Sequence, residues 1–484
     1  MNDSLLKLYH SLPYPVRCLA ATARGYQLRW WRYGPETDHL VEEALERESW
    51  SPEKWKAWQE ERLQFILHRA VTKVPYYREF WTRQKAEGRR QKAWKDLGNW
   101  PVLKKEDVRA DPRAFLANDC EPRRMWCEHT SGTTYKPLTL WFNRDCVHAW
   151  FALCEARLRR WHGVTRHDTW GMIGGQIVTP VHAQNPPFWV WNAAMRQLYL
   201  SSYHLNPQNA RAYVEAIRRY GPNHLICYSS AVTSLAHAVE TNGLNIDGIR
   251  VVVTNAEPVF PWQRNLVQSA FGAPVRESYG MVEIASAASE CPNGRLHFWP
   301  EVGFLELLQD DTDRPAKNGV AGRLICTGLL NADMPLIRYE VGDRGAIDGN
   351  GAGPCACGRR LPVLQRLEGR TNDLITTRDG RRIYIPTAVF HELPVVEGQI
   401  VQEATDSLRV NVVAAAGYSA RTAALITERL KGRIGPVRIH VETVTEIPRG
   451  PNGKFRAVVS QVTQQSSLSR PVGAVLPAAT GSPG

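Results

Sequence analysis

Helical segments alternate with short β-branched runs in the middle of the chain. The helical patterns are "PQNARAYVEAIRRY", "AVTSLAHAVETNG" and "PWQRNLVQSAF", and the runs among them include "IRVVVTN" and "APVRES". Such alternation is typical of βαβ units, in which helices connect parallel strands. The sequence therefore predicts an α/β fold with a largely parallel sheet from Met1 to about Glu290.

Other segments predict how the chain is divided. Apolar spacing predicts helices over Glu61–Val74, which Pro75 ends, and over Asp145–Trp161, with Asn143 as N-cap. The runs "GFLELL", "GRLICTG" and "PLIRYE" predict strands of a β-rich subdomain, and a compact α+β pattern follows "LEGRTNDLITTRDGRRIYI". We expect a helical N-terminal cap over 1–100, a large domain over 101–368, a C-terminal domain over 369–463 and a disordered tail over 464–484.

Composition narrows the class of protein. The chain has 484 residues, of which 43% are hydrophobic and 22% charged, as in ordinary globular proteins of more than one domain. Its net charge of +12 favours anionic partners such as nucleotides and coenzymes. Because no apolar run approaches the roughly 18 residues of a spanning helix, we expect a cytoplasmic protein without a transmembrane segment. The basic, Trp-rich stretch Arg24–Arg32 allows peripheral membrane contact, although a helix face packed on the protein body also explains it.

The stretch "HTSGTTYKPLTL" concentrates groups that bind phosphate. Backbone and hydroxyl donors next to a lysine suit a polyphosphate. It is not a Walker A loop, which needs two glycines separated by four residues just before the lysine. Alone, the pattern also fits an ordinary Ser/Thr-rich turn. The candidate phosphate ligands are Thr130, Ser131, Gly132, Thr133, Thr134 and Lys136.

Further loops of this kind follow in order. "NAEP" and "SYGMVE" each come after a predicted strand, and the carboxyl ends of parallel strands are where α/β sheets bind ligands. "RYEVGDRG" places Asp343 in a glycine-flanked turn, where a carboxylate suits two ribose hydroxyls. "GRTNDLI" lies at the domain boundary, and "IPRGPNGKFRAVV" puts Lys454 in a glycine-rich loop. Together these loops favour a nucleotide site over an isolated turn.

The ordered set of motifs, from about Val102 to Arg456, resembles the adenylate-forming superfamily of acyl-CoA synthetases, luciferases and peptide-synthetase adenylation domains. Within it, the chain is most similar to the phenylacetate-CoA ligase branch, including relatives encoded with capsular polysaccharide biosynthesis. The stretches that support this are "HRAVTKVPYYREFW", "LYLSSYHLN", "ICYSSAVTSLAHAV" and "CACGRR". The resemblance implies a large AMP-binding α/β domain with a β-rich subdomain, followed by a small mobile α+β domain.

The resemblance also implies a role for each motif. The loop from Thr130 to Lys136 would hold the β- and γ-phosphates of ATP, and Lys454 would reach the attacking carboxylate and the α-phosphate. Glu283 would bind Mg²⁺, so Lys454 and Glu283 are the predicted catalytic residues. The other implied roles are adenine binding by Ala256, Glu257 and Pro258 on one side and by Tyr279 and Gly280 on the other, ribose binding by Asp343, ribose or phosphate binding by Arg370, and a hinge at Asp373.

The predicted chemistry explains why these residue types are needed. A carboxylate that attacks ATP brings two anions together, and Mg²⁺ with a lysine can neutralise the charge that develops. Two residues depart from the family pattern: Val282 stands where Thr or Ser is usual, and Tyr135 where the loop usually has glycine. Since one neutral hydrogen bond is worth about 0.5–1.5 kcal/mol, the loss of a hydroxyl at Val282 weakens nucleotide handling without abolishing it.

A second group of residues suggests a metal. Ten cysteines in a chain of 484 residues do not form a disulfide framework. Cys355 and Cys357 share a glycine-rich turn, and Cys291 and His297 follow the magnesium motif. Three thiolates and one imidazole make a closed structural zinc set. The alternative is four unrelated buried residues.

These observations predict an enzyme, an AMP-forming acid–thiol ligase. It would activate an aryl or acyl acid as the adenylate and pass it to CoA, with ATP, Mg²⁺ and CoA as cofactors and a small carboxylic acid as substrate. One alternative is an adenylating ligase with a non-CoA acceptor, an amine or hydroxyl on a sugar or cofactor. Another is a non-catalytic protein that binds nucleotides or nucleic acid, but the chain has no RRM, KH or helix-turn-helix signature, so we expect no nucleic-acid partner.

Overall fold

The computed structural model describes residues 3–86, 94–130, 137–310, 312–317, 319–347, 355–370, 374–378, 382–384, 387–390, 393–449 and 455–462. Several predicted site residues lie outside this set. They are Ser131, Gly132, Thr133, Thr134, Lys136, Asp373 and Lys454, together with Tyr135 and the tail over 464–484.

The chain begins with five helices. The helix predicted over Glu61–Val74 is the second half of a longer one, whose first turn is capped by the Ser51 hydroxyl accepting the Lys54 N–H at 3.3 Å. It ends before Pro75, because a proline disfavours helical geometry in the preceding residue. The five helices are α1 (Asp3–Ser11), α2 (Tyr14–Arg32), α3 (Thr37–Arg47), α4 (Pro52–Lys73) and α5 (Pro75–Ala86).

The remaining helices of the large domain lie among its strands. Asn143 caps the helix predicted over residues 145–161, accepting the Cys146 N–H at 2.8 Å. This helix ends regularly at Cys154 and continues through a π turn and a 3₁₀ turn to Gly163, whose φ is +70°. The helices are α6 (Lys105–Ala110), α7 (Arg144–Cys154), α8 (Ala210–Tyr220), α9 (Ser229–Thr241) and α10 (Pro261–Phe271).

A hairpin and a 12-stranded sheet make up the β-structure of the large domain. The hairpin pairs β1 (Trp126–His129) with β2 (Thr139–Phe142). The strands of the large sheet are β3 (Trp170–Gly174), β4 (Trp189–Asn192), β5 (Gln197–Ser201), β6 (His224–Tyr228), β7 (Val251–Asn255), β8 (Val275–Gly280), β9 (Ala287–Glu290), β10 (Leu296–Phe298), β11 (Gly303–Leu308), β12 (Gly322–Gly328), β13 (Tyr339–Ile347) and β14 (Val363–Arg370).

The large sheet has a parallel half and an antiparallel half. Its order is β11-β12-β13-β14-β10-β9-β8-β7-β6-β3-β5-β4. The parallel half consists of five adjacent strands, in the order β8-β7-β6-β3-β5. Both faces of the parallel half are covered. Val252 packs in a cluster with α8, α9 and α10, whereas Val251 and Val253 pack on the other face with Val164 and Trp170. The predicted α/β fold is confirmed, and the predicted β-rich segment extends the same sheet beyond β8.

One strand prediction is wrong in its bounds. The run "PLIRYE" was expected to be a strand, but only its last two residues belong to one, since β13 begins at Tyr339. Arg338 takes a left-handed φ of +47°, which no regular strand residue adopts. The turn predicted around Asp343 is also wrong, because Asp343 lies within β13, next to Gly342 with φ +83°.

The smaller C-terminal domain has its own core. Its four-stranded sheet has the order β19 (Arg438–Thr443), β18 (Ser407–Ala414), β17 (Val395–Ala404) and β20 (Val458–Ser460). The helix α11 (Ala420–Ile434) packs on this sheet through residues such as Ile426 and Leu430. The exact domain boundaries stay predictions. No helix in the described part of the chain is both long and apolar enough to cross a membrane. The other elements are β15 (Leu374–Thr376), β16 (Arg382–Tyr384) and a 3₁₀ helix (Thr387–Phe390).

Candidate active site

The loops that follow β7 and β8 form the centre of the candidate site. These strands are adjacent and parallel, so their carboxyl ends open at the same edge of the sheet. Ala256, directly after β7, takes a left-handed φ of +63°, a conformation that is unfavourable for any residue with a Cβ and that clusters at functional sites. The predicted adenine residues Ala256, Glu257, Pro258, Tyr279 and Gly280 therefore all lie at this edge.

The predicted adenine and ribose residues come into direct contact. The Tyr279 hydroxyl donates a hydrogen bond to Asp343 Oδ2 at 2.8 Å, although the two residues lie on strands that are not neighbours. Asp343 on β13 is paired in register with Arg370, the last residue of β14. The structure thus brings together Tyr279, Asp343 and the backbone of Arg370; the side chain of Arg370 lies outside the described part.

Glu283, the predicted magnesium ligand, is buried and well partnered. Its side chain is 6% exposed, and its Oε1 lies 2.8 Å from Lys105 Nζ and 2.9 Å from the Tyr339 hydroxyl. Burial, and then the Glu283 charge, raise the pKa of Tyr339 well above its usual value, so the phenol stays protonated and donates. Neither Lys105 nor Tyr339 was predicted from the sequence. Tyr339 lies four residues before Asp343, in the same motif, "RYEVGDRG".

Thr130 closes the base of the predicted phosphate loop. It accepts the Leu138 N–H on its hydroxyl at 3.0 Å and donates its own N–H to the Leu138 carbonyl at 3.0 Å. These bonds continue the pairing of the β1–β2 hairpin past its last regular residues. Thr130 is therefore the one member of the predicted phosphate-binding set that lies in the described part of the chain, and its contacts there are those of a hairpin residue.

The carboxylate of Glu257 connects the two domains. Its Oε2 accepts the Ser230 N–H at the start of α9, at 2.9 Å, and its Oε1 accepts the Phe455 N–H at 2.7 Å. Phe455 belongs to the C-terminal domain and directly follows Lys454 in the sequence. Phe455 therefore lies against the turn after β7, at the edge where the predicted adenine residues lie. A role for Glu257 beside adenine stays a prediction.

A second polar contact between the domains lies close to the first. Glu397 on β17 forms an ion pair with Arg449 and accepts the hydroxyl of Ser234, a residue of α9, at 3.4 Å. Burial raises the pKa of Glu397, and Arg449 opposes this shift. An adjoining cavity is lined from both domains, with Phe260, Trp262, Phe390 and Phe455 among its walls. The interface between the domains therefore combines aromatic side chains with two carboxylates, those of Glu257 and Glu397, that accept hydrogen bonds.

The four predicted zinc ligands do come together. Their ligand atoms all lie within 4.8 Å of one another, with 3.8 Å between the sulfurs of Cys291 and Cys355 and 3.5 Å from Cys357 Sγ to His297 Nε2. A tetrahedron with zinc–sulfur bonds of about 2.3 Å has sulfur–sulfur edges of about 3.8 Å. His297 Nδ1 faces the Leu361 carbonyl at 3.1 Å, which directs Nε2 to the thiols, and burial lowers the pKa of His297. The donor set and its spacing fit a closed zinc site.

Comparisons with known proteins agree with this fold. A family model of the CapK C-terminal domain matches residues 375–461. Protein CapK of Staphylococcus aureus is 25% identical over 374 residues, covering 76% of this chain and 81% of that protein. A phenylacetate-coenzyme A ligase of Thermus thermophilus is 26% identical over 366 residues, covering 71% and 76%.

A solved structure extends the likeness to most of the chain. The crystal structure of 2-hydroxyisobutyryl-CoA ligase in the postadenylation state, in complex with R3-HIB-AMP, superposes with a TM-score of 0.65 at 20% identity. The superposition covers 86% of this chain and 91% of that one, so it includes both domains of the fold. The chain is therefore similar in sequence to CapK and to phenylacetate-coenzyme A ligases, and it shares the fold of 2-hydroxyisobutyryl-CoA ligase.

Proposed function

We propose that this protein is an ATP-dependent, AMP-forming carboxylate–CoA ligase. The observation that carries the proposal is that β13 contacts two predicted motif residues in and just after β8: Asp343 accepts the Tyr279 hydroxyl, and Tyr339 donates to Glu283. The Phe455 N–H of the other domain binds Glu257, in the turn after β7. Relatives of the chain are named phenylacetate-coenzyme A ligases, which supports the same reaction class. An aryl or acyl acid would be activated as its adenylate and then transferred to CoA.

The nucleotide would lie across the ends of β7 and β8. In this proposal the turn Ala256–Pro258 and the Tyr279 ring line the adenine, and Asp343 accepts hydrogen bonds from the ribose hydroxyls. The hydrogen bond from Tyr279 to Asp343 orients this carboxylate, and it also ties the adenine side of the site to the ribose side. The backbone of Arg370 is paired with Asp343 across β13 and β14, which supports a proposed contact of Arg370 with ribose or phosphate.

Glu283 is the proposed ligand for Mg²⁺. Carboxylate oxygens are typical magnesium ligands, and the contacts of Lys105 and Tyr339 both fall on Oε1 of Glu283. When bound, the metal would offset negative charge on the phosphates. Lys105 provides positive charge at this carboxylate within the protein itself, which makes it a competitor of the metal for Glu283.

Lys454 is proposed to supply the second positive charge. It would stabilise the negative charge at the α-phosphorus while the carboxylate attacks, a role typically worth about 10²–10³ in rate. Because Lys454 belongs to the C-terminal domain, movement of that domain would withdraw it once the adenylate has formed and expose the adenylate to CoA. The hydrogen bond between Glu257 and Phe455 would belong to the first of these two arrangements.

Pyrophosphate exchange and hydroxamate trapping test the proposal directly. Purified protein would be assayed with a panel of aryl, fatty and hydroxy acids, with and without CoA. We expect exchange with at least one acid, loss of exchange in Lys454→Ala, and normal exchange in the matched variant Lys431→Ala on the exposed side of α11. If folded protein that binds ATP catalysed no exchange with any acid of the panel, the proposal that it is an enzyme would be refuted. Exchange without thioester formation would favour an amine or hydroxyl acceptor over CoA.

We also propose that the four-residue cluster binds a structural zinc ion through Cys291, His297, Cys355 and Cys357. Elemental analysis of the purified protein should show one zinc per chain, and chelation should lower the melting temperature. Cys355→Ser should lose the metal, whereas Cys227→Ser, at another buried cysteine, should keep it. The assignment would be contradicted if the purified protein contained no zinc, or if neither variant lost its zinc.

A further inference from the structure

A row of apolar side chains runs along the exposed side of α2. Val16, Leu19, Ala23, Tyr26 and Trp30 recur at intervals of three or four residues and so share one side of the helix. They are not covered by the protein: Leu19 is 68% exposed, Tyr26 63% and Trp30 54%. Single exposed apolar residues are ordinary, but a continuous row on one helix indicates an interaction surface.

The opposite side of α2 holds the helix firmly on the large domain. Arg17 donates to the Val178 carbonyl at 3.0 Å, Cys18 Sγ accepts the Trp191 N–H at 3.4 Å, and Thr22 accepts the Ala193 N–H at 3.1 Å. Gly25 is buried against the side chain of Asn192, where a Cβ would clash. The helix cannot roll to bury its apolar row without breaking these contacts.

The preceding helix, α1, also exposes apolar side chains. Leu5 and Leu8 of α1 are 57% and 60% exposed, while Tyr9 and His10 bind the carbonyls of Val178 and Ile177 at 3.4 and 2.9 Å. Both helices are thus anchored to the segment around residue 178 and keep apolar side chains on the outside. We define the N-terminal apolar face as Leu5, Leu8, Val16, Leu19, Ala23, Tyr26 and Trp30.

Positive charge borders this face. The nineteen residues of α2 include four arginines and no acidic residue. At 100° per residue, Arg24 and Arg29 flank the apolar row on its two sides, and both are exposed. The guanidinium of Arg144 lies over the Trp30 ring, 4.2 Å from its centroid, and adds positive charge at one end of the row.

We propose that the N-terminal apolar face docks on an anionic lipid bilayer. A helix with Trp and Leu on one side and arginines along the borders suits the boundary between headgroups and acyl chains. A second copy of this chain would suit it less, because an isologous contact through this face would bring the same arginines of both copies together. Anionic headgroups would instead neutralise them. The inference goes beyond the proposed ligase activity and does not depend on it.

Vesicle co-sedimentation of the full-length protein tests this. We expect binding to phosphatidylcholine vesicles that contain phosphatidylglycerol, weaker binding to phosphatidylcholine alone, and weaker binding at high salt. Leu19→Glu/Trp30→Glu should lower the affinity about tenfold or more, and Arg24→Glu/Arg29→Glu should remove the preference for anionic lipid. The matched controls are Phe65→Glu, at an exposed ring on α4, and Arg211→Glu, at an exposed arginine on α8, and both should bind like the unmodified protein.

Three outcomes would overturn the proposal. They are absence of binding to both kinds of vesicle, equal loss of binding in the α2 variants and in the controls, and a dimer that Leu19→Glu/Trp30→Glu dissociates while vesicle binding is unchanged. Circular dichroism and thermal unfolding of each variant show whether the fold is intact. The Arg24→Glu/Arg29→Glu variant alters only exposed side chains, so it keeps the test decisive if the apolar variant unfolds.

Discussion

The contact between Glu257 and Phe455 gives a sharp test of how the site is assembled. Its 2.7 Å hydrogen bond joins a carboxylate of the large domain to a backbone N–H adjacent to Lys454. Hydrogen bonds to charged groups contribute about 1.5–3 kcal/mol. If the bond forms only when the C-terminal domain delivers Lys454, Glu257→Ala should slow adenylation by about 10- to 150-fold, since about 1.4 kcal/mol corresponds to a factor of ten.

The second half-reaction separates this effect from general damage. In the proposed mechanism, transfer of the acyl group from a synthetic acyl adenylate to CoA does not use Lys454, so Glu257→Ala should leave its rate unchanged. Adenylation would be followed by pyrophosphate exchange, and transfer by single-turnover thioester formation. Glu257→Gln, which keeps one acceptor oxygen, should lose less activity than Glu257→Ala. Glu240→Ala, at an exposed glutamate on the same helix as Ser230, serves as the matched control.

Two results would refute this reasoning. Equal loss in both half-reactions would mean that Glu257 supports the fold or the shared site and not the arrangement of the domains. An increase in the KM for ATP with kcat unchanged would assign Glu257 to nucleotide binding, the role implied by the family resemblance. A selective fall in the rate of adenylation at saturating ATP distinguishes domain positioning from both.

Three further substitutions test the electrostatics of the large domain. Lys105→Met removes the ammonium that contacts Glu283 at 2.8 Å, so half-maximal adenylation should need less Mg²⁺; a higher requirement would contradict the competition. Burial raises the pKa of Glu277 from 4.5 to about 7, so the free energy of unfolding should fall as the pH rises through this range and the buried carboxyl loses its proton. In urea unfolding, Glu277→Gln should remove up to about 3 kcal/mol of this pH dependence. Two nitrogens of the Arg157 guanidinium lie 2.7 and 2.9 Å from the two carboxylate oxygens of Glu301, and Arg157→Met leaves this buried carboxylate charged without its partner. The free energy of unfolding, measured by calorimetry, should fall by about 3–5 kcal/mol.

Local patterns predicted the elements better than their connections. The N-cap at Asn143 and the end of α4 before Pro75 follow from neighbouring residues, and both are present. The continuation of the sheet from β8 into β9 through β14 was not predictable, because strand pairing depends on partners far away in the sequence. The strand predicted over "PLIRYE" has wrong bounds for a different reason: its apolar residues are buried, but the left-handed backbone of Arg338 breaks the strand geometry.

The candidate site shows the same division. Glu283 and Asp343 were recognised because each lies in a short motif, whereas Lys105, which contacts Glu283 from 178 residues away, carries no motif of its own. The four residues of the proposed zinc site were predicted from the chemistry of their side chains, although Cys291 and Cys355 are 64 residues apart. A residue whose role depends only on its neighbours in space gives no signal in a single sequence.

The contacts of the three carboxylates explain why the site depends on the whole molecule. Asp343 is held by a tyrosine from β8, Glu283 by a lysine from α6, and Glu257 by N–H groups from α9 and from the C-terminal domain. Each acid is therefore oriented by an element that lies outside its own motif. It follows that substitutions in α6 or at the start of α9 should alter catalysis, although neither segment contains a residue of the predicted site. In the proposed function the Phe455 N–H binds Glu257 when the C-terminal domain delivers Lys454, so domain closure would complete the arrangement of these acids for adenylation.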